Sequence, residues 1–301
     1  MTQLPGIFLN VLVPVFALVL LGYITGPRLQ FEARTLSRLA YFILTPAFVF
    51  NVLSQTRIEA ALAGRMIGFI TLVYLGSIVI AFVTARLLRR SAAMTAAYVM
   101  IAAFGNVGNF GLPIIQFAEG PEALGIATIY FLANLVLAFI VCVSAANFSH
   151  GFSMRIVIQV FKTPALLALL PALLVNWSGL ALPTVVSRPL DLLSGALIPT
   201  MLLVLGVQLA NAGVPKLSAD LLISSSIRLI SGPVLAFATV GWFMLPALER
   251  NVGILQASMP TAVLVSIIAM ENKLLPEFVT ATVLFSNVVS IVTLAIVLVL
   301  L

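Results

Sequence analysis

The chain has 301 residues, of which 62% are hydrophobic and 8% are charged, and its formal net charge is +6. A soluble domain carries about 25% charged residues, so this composition excludes a globular protein with a water-facing surface and places the chain in a lipid bilayer. The basic residues are spread through short segments between apolar stretches, which is typical of membrane topology and not of nucleic-acid binding.

Ten apolar segments are long enough to cross a bilayer, because a spanning helix needs roughly 20 apolar residues. We therefore predict an all-α integral membrane protein with ten transmembrane helices. The first segment has no basic residue before Arg28, which favours a retained helix over a signal peptide. The predicted spans 1 to 10 cover residues 5–25, 35–54, 66–87, 94–118, 123–146, 157–177, 190–210, 221–246, 252–270 and 278–300.

Lysine and arginine are unevenly distributed between the loops that connect these spans. Ten lie in odd-numbered loops and four in even-numbered loops, and short cytoplasmic loops carry the excess of positive charge. We therefore expect an inner (plasma) membrane protein whose two termini both face the outer, periplasmic side. The ten are Arg28, Arg34, Arg38, Arg86, Arg89, Arg90, Arg155, Lys162, Lys216 and Lys273, and the four are Arg57, Arg65, Arg188 and Arg250.

The second half of the chain repeats the first with an offset of about 150 residues. An odd number of spans in each repeat places the halves in opposite orientations, and inverted repeats are typical of secondary transporters. We predict two repeats, residues 1–150 with spans 1–5 and residues 151–301 with spans 6–10. The matched strings include 44–46 with 197–199, 81–84 with 236–239, 111–113 with 258–260, and 134–136 with 287–289.

Span 4 contains three glycines and a proline within residues 105–113. These residues interrupt helices, and main chain freed inside a membrane must line a cavity or be buried in protein. Asn106 and Asn109 lie in the same stretch, at a depth where polar side chains are costly. Close helix packing through glycines is the alternative, but it accounts for neither the proline nor the asparagines. We therefore predict a broken helix that forms a binding site, with the break at Gly105, Gly108, Gly111 and Pro113.

Span 9 carries the matching break, with Pro260 among polar residues. In an inverted repeat the two breaks should meet near the bilayer centre, where the positive N-terminal ends of the half-helices favour an anion. Neither break contains Asp, Glu, Lys or Arg, so an antiporter with paired aspartates is not expected. The predicted substrate-binding residues are Asn106, Asn109, Gln256, Ser258 and Thr261.

Further residues are candidates for support around this crossover. Pro46 and Pro199 are predicted to kink spans 2 and 7 beside the site, and Thr45 offers a polar contact. Asn134 and Asn287 occupy matching positions in spans 5 and 10, where they either pair across helices or line the crossing region.

Arg228 lies inside span 8, about two turns from the cytoplasmic end. A long basic side chain at that depth can reach the interface, so we expect Arg228 to snorkel rather than to bind an anionic substrate. Cys142 and His150 are the only cysteine and histidine of the chain. We therefore predict no metal site, no cofactor and no enzyme activity.

The residues at both breaks resemble those of the auxin efflux carrier family, the bacterial relatives of plant PIN-type auxin carriers. The similarity covers almost the whole chain and rests on Asn106 followed by 111–113 in span 4, and on 256–260 in span 9. It extends to Ser194, Ala196, Met201 and Leu205-Gly206 in span 7 and to Pro276-Glu277 and Phe285 in span 10.

This resemblance implies an NhaA-like, bile-acid-symporter-like fold in which spans 4 and 9 cross at their proline breaks. It implies a scaffold of spans 1, 2, 6 and 7 that also forms a homodimer, and a transport domain of spans 3–5 and 8–10 that moves as an elevator. It also implies organic-anion substrates, indole acids or malate and malonate among them, with Asn106 as the crossover asparagine.

We expect a secondary transporter that moves a small organic anion, auxin-like or a mono- or dicarboxylate, by alternating access at the crossover. Its partners are then the organic acid and the lipid bilayer. Because no carboxylate is evident within the membrane, we expect transport to be driven by the substrate gradient or the membrane potential, and coupling to Na+ or H+ stays open. The alternative is a sodium-coupled organic-anion symporter of the bile-acid type, whose ion would take oxygens from the five predicted binding residues and from main-chain carbonyls.

Overall fold

The structure is a computed structural model that describes residue 6 and residues 8–146, 161–211 and 217–301. His150, Arg155 and Lys216 lie outside the described residues, together with the start of predicted span 6. Within the described ranges the regular structure is helical, and the one pairing of strand type is an isolated antiparallel bridge between Gly105 and Thr261. The all-α prediction is confirmed for this part of the chain.

Seven helices in the described ranges are long and apolar enough to cross a bilayer. They coincide with predicted spans 1, 2, 3, 5, 7, 8 and 10. Large apolar side chains face outward along them, such as Leu192 at 78% exposure, because lipid tails are as apolar as leucine. These helices are α1 Leu9–Arg28, α2 Ala33–Gln55, α3 Ala60–Leu87, α6 Ala123–Ala146, α8 Thr184–Asn211, α9 Ala219–Phe243 and α12 Pro276–Leu300.

Predicted spans 4, 6 and 9 contain shorter helices. These are α4 Ala92–Ala103 and α5 Leu112–Glu119 in span 4, α7 Pro164–Ser178 in span 6, and α10 Ala247–Ala257 and α11 Val263–Glu271 in span 9. Residues 104–106 and a π-helical turn, Val107–Gly111, separate α4 from α5, and residues 258–262 separate α10 from α11. Pro113 follows the π-helical turn directly and removes one helical N–H donor there, whereas Pro260 lies in the non-helical stretch. The main chain of both interruptions must therefore find partners outside a helix.

Helices α1 and α8 pack against each other where both carry glycine. A Cβ on Gly22 would overlap Leu203 O, and a Cβ on Gly206 would overlap Val19 O. Small residues of this kind let membrane helices approach closely. Helix α2 contacts both α7 and α8, so predicted spans 1, 2, 6 and 7 lie side by side.

Asn176 ties α7 to the C-terminal end of α2, and we expect its loss to destabilise this packing. Its Nδ2 donates to the main-chain O of Leu53, Ser54 and Thr56 at 3.0, 3.1 and 2.9 Å. Carbonyls at a helix end have no helical partner, and a hydrogen bond contributes about 0.5–1.5 kcal/mol to stability. Asn176→Leu should therefore lower the stability by about that amount, measured as the melting temperature of the detergent-purified protein.

Ser178→Ala is the control for this variant. Ser178 is exposed, and its Oγ donates only to Val175 O within the same helix end. A surface change of this type shifts stability by no more than about 0.5 kcal/mol. Equal melting temperatures for Asn176→Leu and Ser178→Ala would contradict the role assigned to Asn176.

Candidate functional site

The two helix breaks lie against each other and pair through their main chains. Asn106 N donates to Pro260 O at 2.7 Å, and Ala262 N donates to Phe104 O at 2.8 Å. These two bonds flank the isolated antiparallel bridge. Polar main-chain groups inside a bilayer must be satisfied within the protein, so each break supplies the partners that the other one needs.

The buried Asn106 side chain joins the breaks to α12. Its Nδ2 donates to Asn287 Oδ1 at 3.0 Å, and Asn287 Nδ2 donates to Thr261 O at 2.9 Å and to Val283 O at 2.7 Å. Thr261 N in turn donates to Ser286 Oγ at 3.3 Å. Asn287 thus bonds across helices to residues of both breaks, and its role beside the predicted crossing region stays a prediction.

Asn134, the counterpart of Asn287 in the first half, makes weaker contacts. Its Nδ2 donates to Ala103 O at 3.4 Å, and its buried Oδ1 has no hydrogen-bond partner among the described residues. Two positions that match in the sequence therefore differ in their tertiary role.

Gln256 places an unsatisfied oxygen beside the start of α5. The side chain is fully buried, and its Nε2 donates to Ala127 O at 3.3 Å, while Oε1 has no partner in the described part of the chain. A Cβ at Gly111 would lie 2.5 Å from that oxygen, so glycine is what allows the close approach. A buried acceptor without a donor is costly, which makes Gln256 Oε1 a candidate contact for a ligand.

The other predicted contact residues differ in whether their side chains already make hydrogen bonds within the protein. Ser258 is buried, and its Oγ donates to Ile254 O at 2.7 Å. Thr261 is buried, and its Oγ1 donates to Ile101 O at 3.4 Å. Asn109 is half-buried on the π-helical turn. The hydroxyls of span 9 are thus engaged with the main chain, whereas Asn109 is more accessible.

Arg228 does not snorkel, so the expectation that its side chain reaches the cytoplasmic interface is wrong. The residue is 0% exposed, and its guanidinium donates to Met259 O at 2.8 Å, Ala102 O at 2.9 Å and Ala257 O at 3.3 Å. Its Nη2 also donates to Tyr74 Oη at 3.2 Å, and the guanidinium carbon lies 4.8 Å from the centre of the Tyr74 ring. The physical reason is that the interrupted helices leave main-chain carbonyls without helical partners within reach of the guanidinium.

Tyr74 and Gly105 complete the enclosure of this guanidinium. The Tyr74 hydroxyl donates to Gln256 O at 3.2 Å, and a Cβ at Gly105 would overlap both the guanidinium and that hydroxyl. Tyr74 could not be predicted from the sequence, because a tyrosine in an apolar helix has the same sequence context whether it packs in a core or contacts a site residue.

Helix ends of both kinds, N-terminal and C-terminal, meet at the breaks and carry partial charges of opposite sign. Arg228 neutralises the negative charge of the C-terminal ends. Helices α4 and α10 end there with carbonyls that lack helical partners. The π-helical turn that leads into α5 and helix α11 begin there, and the first amides of a helix have no partner within it. A helix C-terminus carries about −0.5 charge and an N-terminus about +0.5, so Arg228 offsets about one negative charge from the two C-terminal ends. The first turns of α5, of its preceding π-helical turn and of α11 contain no acidic residue. The positive ends are therefore left to attract an anion.

The supporting residues lie beside a π-helical turn of α2 and inside the continuous helix α8. Thr45 is buried, and its Oγ1 donates to Ala40 O at 2.8 Å across the π-helical turn Ala40–Leu44. Pro46 follows in the next turn. Pro199 lies inside α8 and lines a cavity. The Thr45 hydroxyl is therefore used within its own helix.

Two cavities of about 510 and 440 Å³ adjoin each other on the side of the molecule that the loop charges predict to face outward. The smaller one lies among α1, α2, α5, α6 and α8, where Asn51 Nδ2 donates to Asp191 Oδ1 at 3.1 Å. Gln116, one turn beyond Pro113, also lines it. Neither cavity is lined by Asn106 or Gln256, so the paired breaks are closed off from both. The larger cavity is lined among others by Gln55, Arg57, Glu122 and Glu249.

Known proteins match this chain over nearly its whole length. Residues 7–298 match a family described as "Membrane transport protein". The chain is 29% identical to an "Uncharacterized transporter" of Methanothermobacter thermautotrophicus, with 93% of this chain and 94% of the relative covered. It is 26% identical to a "Putative malonate transporter" of Rhizobium meliloti, with 97% and 94% covered. The chain therefore belongs to the membrane transport protein family, the auxin efflux carrier-like transporters.

Proposed function

We propose that this protein is a secondary transporter that carries a small organic anion across the inner membrane, with the anion bound at the paired breaks. The observation that carries the proposal is the charge arrangement at these breaks. Arg228 offsets the two negative helix ends, no acidic side chain offsets the two positive ones, and helix N-termini bind anions.

The proposed architecture is ten spans in two inverted repeats, with spans 4 and 9 crossing at their breaks. An antiparallel bridge between the breaks supports this, because two inverted half-helices meet with opposite chain directions. Spans 1, 2, 6 and 7 form the scaffold and the homodimer contact, and spans 3–5 and 8–10 form the transport domain. The smaller cavity supports an elevator movement along this boundary, since scaffold helices α1, α2 and α8 line it opposite α5 and α6.

The proposed substrate class is a short dicarboxylate. Two positive helix ends at one place match two carboxylates better than one, and the Rhizobium meliloti relative carries malonate in its name. Gln256 Oε1, a buried acceptor without a partner in the described ranges, suits a hydroxyl or a protonated carboxyl of the bound acid. Asn106 and Asn109 are the proposed amide contacts, with Ser258 and Thr261 behind them.

A thermal-shift screen of the purified protein tests this site. We expect malonate and related dicarboxylates to raise the melting temperature more than monocarboxylates or indole acids, because a ligand that binds only the folded state stabilises it by mass action. Asn106→Ala should lose this shift and the corresponding uptake into proteoliposomes. The matched control is Asn272→Ala, whose Nδ2 donates to Ile268 O at the far end of α11 and whose loss should leave binding unchanged. Undiminished affinity and uptake in Asn106→Ala would contradict the assignment.

Sodium-coupled symport is the second candidate function. Two buried acceptor oxygens, Gln256 Oε1 and Asn134 Oδ1, have no donor among the described residues, and oxygen acceptors are what a hard cation takes. Replacing sodium by potassium in the uptake assay separates the two candidates, because a symporter loses uptake and an uncoupled carrier does not.

A further inference from the structure

Four neutral oxygens converge on one guanidinium at the paired breaks. Met259 O, Ala102 O and Ala257 O accept from it at 2.8–3.3 Å, and Tyr74 Oη accepts at 3.2 Å. Ala102 and Ala257 lie at the ends of α4 and α10, and Met259 lies in the interruption that follows α10, so both broken spans contribute. A cage of main-chain carbonyls with one further oxygen is the donor set that replaces the hydration shell of an alkali cation.

Within residues 8–146, 161–211 and 217–301, this guanidinium has no carboxylate partner. The ion pair found in the described part of the chain is Arg90–Asp220, at 2.8 Å, and it does not involve Arg228. A buried charge is costly unless it is compensated, and here the compensation comes from two helix C-termini whose partial charges sum to about −1.

We infer that Arg228 is a resident cation that occupies the place where a metal cation would bind at the crossover. As a consequence the carrier moves its anion without a co-bound sodium ion, and Arg228 is the residue that specifies this. The statement about transport rests on the proposed function, whereas the occupancy of the carbonyl cage does not. The inference favours uncoupled carriage over the sodium-coupled alternative.

Removing the guanidinium should turn the cage into a cation site. We would measure the melting temperature of the full-length protein in detergent, without substrate, in choline, sodium or millimolar guanidinium chloride at constant ionic strength. The unmodified protein should melt at the same temperature in sodium and choline. Arg228→Ala should melt lower in choline and regain several degrees in guanidinium or sodium, with saturation, because the cation binds the folded state.

Arg65→Ala is the matched control. Arg65 Nη1 donates to two carbonyls at another helix end, Met244 O at 2.7 Å and Phe243 O at 3.4 Å, but this side chain is only half-buried. Water can replace it there, so no saturable recovery is expected. Identical responses of Arg65→Ala and Arg228→Ala to the cations, or stabilisation of the unmodified protein by sodium, would overturn the inference.

Two further measurements keep the test decisive. If Arg228→Ala does not fold, Arg228→Gln keeps two N–H donors without the charge and should show the same cation response. Arg228→Lys, which keeps a positive charge, should show no change of melting temperature in sodium; a sodium response in this variant would contradict a role for charge.

The failure of this inference and the failure of the proposed function are distinguishable. Recovery of Arg228→Ala by guanidinium, without any shift of the melting temperature by carboxylates, would reject the proposed substrate class but not the resident cation. A carboxylate shift without cation recovery would do the reverse.

Discussion

Replacing Asn287 with leucine is expected to abolish substrate uptake and to lower the stability of the protein by about 3 kcal/mol. Asn287 accepts from Asn106 Nδ2 and donates to Thr261 O, so leucine would leave two buried polar groups without partners, at about 1–3 kcal/mol each. The same change releases Asn106, which is a proposed substrate contact. Uptake into proteoliposomes, normalised to the amount of inserted protein, and the melting temperature in detergent measure the two effects.

Asn134→Leu is the internal control, because the repeat places Asn134 at the position equivalent to Asn287. Its amide donates only at 3.4 Å, and its Oδ1 has no partner among the described residues. Leucine there removes an unsatisfied group, so stability should change by no more than about 1 kcal/mol and could rise. Equal losses in both variants would show that the two asparagines act alike and would contradict the network described at the breaks.

A single methyl group at Gly206 should separate α1 from α8. A Cβ there would overlap Val19 O and lie 2.6 Å from Tyr23 N, and main-chain atoms cannot move aside as a flexible side chain would. Overpacking of this kind costs up to about 3 kcal/mol and sometimes more. Gly206→Ala should therefore lower the melting temperature by several degrees, at about 2–4 °C per kcal/mol for a protein of up to 250 residues.

Gly195→Ala, on the same helix, is the control, because it should raise the melting temperature or leave it constant. A Cβ at Gly195 would meet nothing within 4 Å, so the substitution brings only the higher helix propensity of alanine. That gain is about 0.8–1.0 kcal/mol, and the melting temperature should rise or stay constant. A fall as large as that of Gly206→Ala would mean that helix contacts do not explain the glycine at position 206.

The two halves of the repeat share their breaks but not their charge. When Ala81 is matched with Ala236, the position in the first half that corresponds to Arg228 is Val73. Tyr74 is the next residue. The second half of the chain thus supplies a cation to the paired breaks, and a tyrosine next to the matching position of the first half accepts a hydrogen bond from it. The asymmetry follows from the physics of the site, because one guanidinium is enough to offset two helix ends of about half a charge each.

Local chemistry accounts for the parts that could be predicted. Span positions follow from apolar length, and the interruptions of spans 4 and 9 follow from glycine, proline and asparagine within a few residues of each other. Arg228 could not be placed in this way. The position of Arg228 along its helix favoured a side chain that reaches the membrane interface. Nothing in the sequence within one turn of Arg228 indicates that carbonyls from two other spans lie within 3.3 Å of its side chain.

By itself the sequence determined the membrane environment, the helical class and the two stretches where helices are interrupted, because hydrophobicity and main-chain preference act over a few neighbouring residues. Only the tertiary structure decided that Asn287 rather than Asn134 holds Asn106, and that Arg228 is enclosed. Those outcomes depend on which donors and acceptors come within about 3 Å of each other, and the pairs involved lie 29 to 181 residues apart in the chain.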